Sequence, residues 1–342
     1  MTARGRKRFG FHLREALTSV AFCGPAVVLF AGLVILPACL GFVYGLTDWS
    51  GWSGGGRVGD LTDAAGQMAR LDPNAARASM EKFLGANFIG LDNFRELASD
   101  PTFCDTESFA AFSRSAVGFT LFETVLIVLT FTFASMVLAV LLDRIRRLKG
   151  LIRGLFFYPY VLSLLVSSLL FIYMANFREG AVNKILDALG LAWLQQDWMM
   201  DPALAPWFIF ALVAWSGLGF FTTLYLANLQ TIPTELYEAA AIDGAGSAAV
   251  FRRIQWPMLM PTVLTNSVLA LITGINLFPQ VVVTTQGGPG TQTFTIGYYI
   301  YHLGRLTNRQ GYSSAVSFVA FAALLLIAVV HVSVLRRRQV SL

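Results

Sequence analysis

Six long apolar runs constrain what this chain can fold into more than any other feature of its sequence. The runs cover residues 17–46, 116–142, 155–175, 206–229, 258–278 and 312–335. Each is at least as long as the roughly 20 residues that cross the hydrocarbon of a bilayer as a helix. A chain inside hydrocarbon must satisfy its own backbone hydrogen bonds, and runs of this length do so as α-helices. We therefore predict an all-α polytopic membrane protein with about six transmembrane helices.

The composition agrees with this interpretation and excludes a soluble enzyme. Of the 342 residues, 56% are hydrophobic and only 13% are charged. The first run follows a group of basic residues, as a secretory signal does. It nevertheless continues past Cys39 to Leu46 and is long enough to span a bilayer. We expect it to be retained as transmembrane helix 1.

The distribution of charge gives an orientation. If residues 1–16 and 336–342 are both cytoplasmic, the inside segments hold 15 of the 25 Lys and Arg residues but only five of the 20 Asp and Glu residues. This bias agrees with the positive-inside rule. It places residues 230–257 in the cytoplasm and residues 47–115 in an extended extracytoplasmic loop. Because the basic residues flank apolar runs, the net charge of +5 indicates a lipid bilayer as the neighbour and no nucleic acid.

Residues 230–257 form the longest polar segment in the second half of the chain, and their pattern predicts a helical hairpin. Pro233 suits the first turn of a helix, since its missing N–H would have no helical partner there. Gly244 suits the left-handed residue that ends this helix. Ser247 is a candidate cap for a second helix, and Pro257 is predicted to end it.

The spacing within this hairpin resembles the EAA loop of ABC-importer permeases, in which Glu-Ala-Ala is followed by Gly, Ile and Pro at fixed offsets. The matching residues are Glu238, Ala239, Ala240, Gly244, Ile254 and Pro257. Trp256 departs from the family, which usually has Leu there. Residues 88–94, 153–160 and 286–290 also resemble the carbohydrate-uptake branch, of the maltose-transporter and glycerol-3-phosphate-transporter type.

This resemblance implies a type I ABC-importer-like helix bundle, with a permease core at residues 116–335 in a bacterial cytoplasmic (inner) membrane. It implies three partners, namely a second permease subunit, a cytoplasmic ATPase dimer and an extracytoplasmic solute-binding protein. The matching loop residues would contact the ATPase. A hairpin without a partner is the alternative for the loop, and a membrane enzyme or scaffold is the alternative for the whole chain.

The sequence contains no pattern typical of an ATP site or of a metal site. It has no Gly-x-x-x-x-Gly-Lys-Ser/Thr P-loop and no His-Glu-x-x-His pair. The string Gly51-Trp52-Ser53-Gly54-Gly55 resembles a hydrolase nucleophile elbow, which needs a strand before it and a helix after it. Here it follows a membrane helix and opens the Gly-rich insertion at residues 51–85, to which no function is assigned. We therefore expect no catalytic residue and no cofactor in this chain, with ATP bound by a partner subunit.

Two observations favour a neutral sugar or short oligosaccharide as the transported solute. None of the six runs contains Lys or Arg, which a phosphorylated solute would need near its site. Phe, Tyr and Trp make up 13% of the chain, and aromatic faces suit the C–H faces of sugar rings. A glycerol-phosphate-type solute stays open as the alternative.

A stripe of polar residues marks the fifth run and its outer extension. Thr262, Asn266, Thr273, Asn276 and Gln280 are spaced so that they fall along one face of a helix. Such a stripe faces either another helix or a wet path, because unpaired polar groups are costly in hydrocarbon. We hypothesise that Thr273, Asn276 and Gln280 line the substrate path. Thr262 and Asn266 fit both interpretations equally.

Glu123 is the one ionisable residue well inside an apolar run. A charge exposed to lipid is costly, so we expect this side chain to face protein or water. The two interpretations that follow are a place on the substrate path and a hydrogen bond to a neighbouring helix.

Overall fold

The computed structural model describes residues 22–51, 66, 72–145 and 149–336. Within this part of the chain every regular element is a helix, and the one β-bridge is the isolated pair Thr47–Phe88. Five helices are long and apolar enough to cross a bilayer, and a bent pair of shorter helices makes a sixth span. The predicted all-α fold with about six membrane spans is confirmed. The predicted features outside the described residues are segment 1–16, the start of run 17–46, most of the insertion at 51–85 with Ser53, and residues 337–342.

The helices are numbered in chain order. The long ones are α1 (Phe22–Gly45), α5 (Ala116–Arg144), α9 (Ala205–Leu229) and α14 (Gln310–Arg336). Another long helix, α11, joins Ser247–Val250, a π-helical segment Phe251–Gln255, and Trp256–Ile275. The bent pair consists of α6 (Lys149–Val161) and α7 (Leu164–Ala175). The remaining helices are α2 (Pro73–Leu84), α3 (Asp92–Ala98), α4 (Phe109–Arg114), α8 (Ala181–Ala188), α10 (Thr234–Ile242), α12 (Phe278–Val283) and α13 (Ile296–Tyr301).

The run predicted at residues 155–175 is not one straight helix, which corrects the sequence-based prediction. α6 and α7 meet at an angle of 98°. Pro159 lacks the N–H that would continue the hydrogen-bond ladder of α6. Ser163 then starts a new helix, because its hydroxyl accepts a hydrogen bond from the backbone N–H of Val166 at 3.3 Å. α6 runs through Pro159 to Val161, so the break follows the proline, and the Ser163 cap starts a new helix within an uninterrupted apolar run.

The hairpin at residues 230–257 also differs from its prediction in its second helix. Pro257 was predicted to end this helix, but α11 continues through it to Ile275. Residues Phe251–Gln255, just before the proline, form a π-helical segment whose wider turn accommodates the missing N–H and the ring. The second arm of the hairpin and the membrane span are therefore one continuous helix up to Ile275, and the candidate span continues to Val283.

The chain divides into two compact units, one formed by residues 1–97 and 303–319 and the other by residues 98–302 and 320–342. In the first unit, α1 and the start of α14 approach closely at Gly45, where a Cβ would lie 3.1 Å from the backbone nitrogen of Ala315. The buried side chain of Asn93 donates hydrogen bonds to the carbonyls of Gly45 and Thr47. These contacts fix the loop that carries α3 to the end of α1.

The second unit is built on α5, α9 and α11, which pack where small residues let two backbones approach. At Gly274 of α11, a Cβ would lie 2.6 Å from the Cα of Thr124 on α5. At Gly219 of α9, a Cβ would collide with the carbonyl of Phe156 on α6. Small residues are enriched at such crossings because lipid provides no hydrophobic drive between helices, so association depends on close packing. These contacts join α5, α6, α9 and α11 into one scaffold.

We predict that Gly219→Ala destabilises the protein, because the new methyl group must displace the backbone of α6 rather than a flexible side chain. Overpacking of this kind costs about 1–3 kcal/mol, and the midpoint of thermal unfolding in detergent should fall. Gly154 on α6 provides the matched control, since no described atom lies within 4 Å of its Cβ position. Gly154→Ala should leave the midpoint unchanged or raise it. Equal midpoints for the two variants would contradict the packing described here.

Candidate functional site

α10 and the start of α11 form an exposed hairpin between two membrane spans. Pro233 occupies the cap position of α10, one residue before the first helical turn. At the other end, Gly244 takes the left-handed conformation with φ of +68°. The backbone N–H of Gly244 donates to the carbonyl of Ala241, and that of Ala245 donates to the carbonyl of Ala240. This pair of bonds is a Schellman motif, which closes α10 and turns the chain sharply toward α11.

The second helix of the hairpin starts one residue away from its predicted cap. Ser247 is the first residue of α11, and Gly246 takes the cap position in an extended conformation. The carbonyl of Gly246 accepts from the backbone N–H groups of Ala249 and Val250. The predicted Ser247 cap is therefore wrong, and backbone hydrogen bonds alone start this helix.

Most of the residues that carry the family resemblance lie on the open side of the hairpin. Glu238, Ala239, Gly244 and Pro257 are exposed, whereas Ala240 and Ile254 are half-buried. Ile254 packs inward against a buried cluster at the base of the hairpin. The hairpin therefore presents the acidic Glu238, together with exposed Glu235 and Asp243, beside a set of small side chains, and a second surface could approach its backbone closely.

The sequence analysis missed the most exposed apolar side chain of the hairpin. Ile242, in the last turn of α10, is 88% exposed. A single exposed isoleucine is ordinary on a protein surface, but one fixed beside a rigid turn has the form of an anchor for a partner pocket. The signal was visible in the sequence, because Ile242 is the apolar residue between the alanine run and Asp243.

A buried apolar cluster holds the base of the hairpin. It joins one end of α5 to the end of α9 and to the part of α11 that follows the π-helical segment. Its members are Met136, Ala139, Val140, Leu142, Tyr225, Leu226, Leu229, Ile232, Leu259 and Val263. Beyond the cluster, the two arms are linked by a hydrogen bond of 3.4 Å from Gln255 Nε2 to the Tyr237 hydroxyl. Because a packed interior transmits strain, a displacement of the hairpin would reach the membrane helices through these side chains.

The second candidate site is a cavity of about 330 Å³ within the second unit. Its walls come from α5, α6, α7, α9, α11, α12 and the α6–α7 bend. The polar lining residues are Tyr160, Ser167, Ser168, Ser216, Thr273 and Gln280, and the aromatic ones also include Phe131 and Phe221. None of the described lining residues is charged. The cavity adjoins both breaks in the membrane helices, since Leu162 and Leu164 flank the α6–α7 bend and Gln280 follows the end of α11.

Three polar atoms in residues of the cavity wall are buried and have no hydrogen-bond partner within the described part of the chain. They are the hydroxyl oxygens of Ser167 and Ser168 and the Oε1 atom of Gln280. An unpaired buried polar group costs roughly 1–3 kcal/mol, and a bound group that pairs with it recovers that cost. The sequence analysis missed the two serines, although two adjacent serines inside an apolar run were a visible signal.

The inner part of the predicted polar stripe serves helix packing. Thr262 accepts a hydrogen bond of 2.6 Å from Asn228, and Asn266 donates one of 3.1 Å to the carbonyl of Phe221. Both contacts join α11 to α9. Of the two interpretations that the sequence left open for Thr262 and Asn266, the structure supports interhelical hydrogen bonding.

The outer part of the stripe does not lie along one line. Thr273 and Gln280 line the cavity, but Asn276 is exposed and donates to the carbonyl of Ile272 in its own helix at 3.0 Å. The reason is the end of α11 just before Asn276, which interrupts the helical period on which the stripe was based. The separate helix α12 then brings Gln280 back to the cavity.

Glu123 lies in the interior of the second unit. Its side chain is fully buried, and neither carboxylate oxygen has a hydrogen-bond partner among the residues that the structure describes. It faces protein rather than lipid, and it is not one of the lining residues of the cavity. Its place on the substrate path stays a prediction.

We predict that Gly244→Val loosens the hairpin turn, because a β-branched residue at φ of +68° costs about 1–2 kcal/mol. Amide hydrogen exchange of residues 238–246 should then accelerate about 5- to 30-fold. Gly244→Asn is the matched control, since Asn tolerates the left-handed region and no described atom lies within 4 Å of the Cβ position. The amide hydrogen exchange rates of residues 238–246 in Gly244→Asn should stay near those of the unchanged protein. Acceleration of the same size in both variants would show that backbone conformation is not what fixes the turn.

Comparison with known proteins connects the hairpin and the cavity to one family. The family model described as "Binding-protein-dependent transport system inner membrane component" matches residues 132–339. This range includes the whole hairpin and every described lining residue of the cavity except Phe131.

Two relatives and one solved structure illustrate the similarity. The multiple sugar-binding transport system permease protein MsmF of Streptococcus mutans is 30% identical over 74% of this chain and 83% of its own length. The sn-glycerol-3-phosphate transport system permease protein UgpA of Agrobacterium fabrum is 31% identical over 69% of this chain and 76% of its own length. A chain of a bacterial ABC transporter involved in the import of the acidic polysaccharide alginate has the same fold, with a TM-score of 0.72 and 21% identity over 97% of this chain and all of that chain.

Proposed function

Since the chain belongs to the family of binding-protein-dependent transport system inner membrane components and is a permease subunit, we propose that it forms half of the translocation path of an ATP-driven importer for a sugar or short oligosaccharide. A second permease subunit would form the other half, a cytoplasmic ATPase dimer would drive transport, and an extracytoplasmic solute-binding protein would deliver the solute. The observation that carries the proposal is a rigid, exposed hairpin that is joined by packing to the walls of an uncharged cavity.

We place the hairpin and both termini on the cytoplasmic side of a bacterial inner membrane. The hairpin follows α9, which is the fourth span if the bent pair counts as one. An even number of crossings therefore separates the hairpin from the N-terminus, and two further spans return the C-terminus to the same side. The excess of Lys and Arg in these segments supports this orientation.

In this orientation the hairpin would dock into the ATPase. Glu238 offers a carboxylate to a basic partner residue, Ala239 permits close approach, and Ile242 offers an apolar anchor. The Schellman turn at Gly244 fixes these side chains relative to one another, which reduces the conformational entropy lost on docking. Because the sequence contains no P-loop, ATP would bind to the partner.

We predict that Ile242→Asp weakens the association with the ATPase roughly 30-fold, since loss of an anchor side chain costs about 2 kcal/mol or more. The measurement is copurification of the ATPase with the tagged permease, followed by titration of the purified ATPase. Leu189→Asp is the matched control, because Leu189 is 67% exposed but follows α8, away from the hairpin in the chain. It should bind the ATPase as the unchanged protein does. If Ile242→Asp retains the ATPase as well as the control does, the docking role is wrong.

The cavity supports a neutral sugar as the solute. Its unpaired serine hydroxyls and the Gln280 amide offer donors and acceptors, which recognition of sugar hydroxyl groups requires. The rings of Phe131, Tyr160 and Phe221 provide aromatic faces. A phosphorylated solute would need Arg or Lys, and the described lining residues include neither. A glycerol-phosphate-type solute is the second candidate, since UgpA is 31% identical over 69% of this chain.

We predict that Gln280→Ala lowers uptake about tenfold, which corresponds to the loss of one hydrogen bond worth about 1.4 kcal/mol. Uptake is measured in proteoliposomes that contain the complete complex, across a panel of radiolabelled sugars and glycerol 3-phosphate. Thr273→Ala should also lower uptake, whereas Asn276→Ala is the control because Asn276 is exposed and is not among the described lining residues of the cavity. Assembly and basal ATPase activity should stay near normal in all three variants. A parallel loss of assembly and uptake would show that Gln280 serves packing instead.

A further inference from the structure

α6 extends from the base of the hairpin to the cavity. Near its C-terminal end it carries Pro159 and Tyr160, which line the cavity. Near its N-terminal end it carries Arg153, which lies beside the C-terminus of α9. These positions are about 10 Å apart, given a rise of about 1.5 Å per residue. The chain itself does not connect α6 directly to the hairpin, because α7, α8 and α9 lie between them in sequence.

Arg153 is bound to Gln230, the cap residue at the C-terminus of α9. With the amide oriented so that both groups are satisfied, the Gln230 side-chain oxygen accepts hydrogen bonds from Nη1 at 3.1 Å and from Nη2 at 2.8 Å. The Nε atom of Arg153 is buried. α10 begins only a few residues beyond Gln230, after Pro233. The guanidinium group therefore holds the base of the hairpin in a forked geometry that a lysine could not reproduce.

Two further contacts join α6 to α9. The backbones cross so closely at Gly219 that a Cβ there would collide with the carbonyl of Phe156. One turn further along α6, the ring of Tyr160 stacks on that of Phe220 with centroids 4.4 Å apart and an interplanar angle of 11°. These contacts lie toward the cavity, whereas Arg153 contacts the end of α9 near the hairpin, beside Ile152, which packs against the apolar cluster at the hairpin's base.

We propose that Arg153 is a positioning residue for transport: through Gln230 it makes α6, and with it one wall of the cavity, move together with the coupling hairpin. This inference rests on the proposed function, in which the ATPase moves the hairpin. A forked hydrogen bond between two helices resists both translation and rotation, because each N–H must keep its own alignment with the oxygen. Without it, only apolar packing, including that of Ile152 on the cluster, would hold this end of α6 to α9 when the hairpin moves, and such packing is non-directional.

The experiment measures whether α6 keeps its distance from the hairpin base when ATP binds. Cys23, Cys39 and Cys104 are replaced with Ser, and spin labels are attached at Gly154→Cys and Thr231→Cys, two exposed positions. The complete complex, purified with its own ATPase, is measured by pulsed electron paramagnetic resonance without ATP and after trapping with ATP and vanadate. ATPase activity is recorded with and without the solute-binding protein. The two sites lie on α6 and directly after Gln230, so their separation reports the proposed link.

Variants at Gln230 and Arg153 then distinguish the loss of this hydrogen-bonded contact from a general loss of stability. Gln230→Leu and Arg153→Lys remove the forked contact, whereas Gln230→Glu preserves it and adds a charge. Arg144→Ala is the matched control, because Arg144 is an exposed arginine at the end of α5. Gln230 is itself exposed, so Gln230→Leu should fold even if Arg153→Lys does not.

The distance between the two labels should be the same without ATP and after trapping, within about 2 Å, for the labelled chain with no further change. The same is expected for its Gln230→Glu and Arg144→Ala variants. Gln230→Leu and Arg153→Lys should give distances that differ between the states by up to about 5 Å, the size of a one-turn helix displacement. The stimulation of ATPase activity by the solute-binding protein should fall at least about fivefold in these two variants. A constant distance and full stimulation in Gln230→Leu would overturn this inference alone. If no ATPase copurifies with the unchanged chain, the proposed function is wrong, and this inference with it.

Discussion

Each membrane span of this protein must pair its own backbone N–H and carbonyl groups, because hydrocarbon offers no partner, and the rest of the structure depends on this requirement. The α6–α7 break and the end of α11 at Ile275 both adjoin the same cavity. Backbone that leaves the helix is tolerated at membrane depth only where protein or a cavity surrounds it. Backbone groups without a helical partner are therefore tolerated beside the cavity. Polar side chains such as Ser167 and Gln280 lie there for the same physical reason.

The same requirement determines how the helices are held together. Helices with satisfied backbones have little to gain from one another in lipid except close packing, so the close backbone approaches at Gly219 and Gly274 accompany the packing of large apolar side chains in the second unit. Such contacts are stiff, because a backbone atom of one helix touches a backbone atom of the other. A stiff scaffold suits a protein in which a hairpin at one end must act on a cavity about two helical turns or more away.

Features that depend on composition and on short fixed spacings could be predicted from the sequence. The spans follow from apolar runs, and the hairpin with its left-handed Gly244 follows from local turn chemistry. What it could not predict depends on contacts between helices. α6 ends two residues after Pro159, whereas α11 continues through Pro257 with a π-helical segment just before it. The predicted polar stripe is interrupted at Asn276, because α11 ends just before it and the separate helix α12 follows. The spacing of polar residues along a sequence does not show where a helix ends.

Two features of the chain are unfavourable in isolation, and the proposed function gives each of them a partner. Ile242 exposes an apolar side chain to water, and burying it would be worth about 1.5–3 kcal/mol. Ser167, Ser168 and Gln280 keep polar atoms unpaired in the interior, each at a cost of roughly 1–3 kcal/mol. A docked ATPase would relieve the first and a bound sugar the second. Because α9 joins the base of the hairpin to the cavity wall, the proposed coupling of the two events would pass through the packing of this helix.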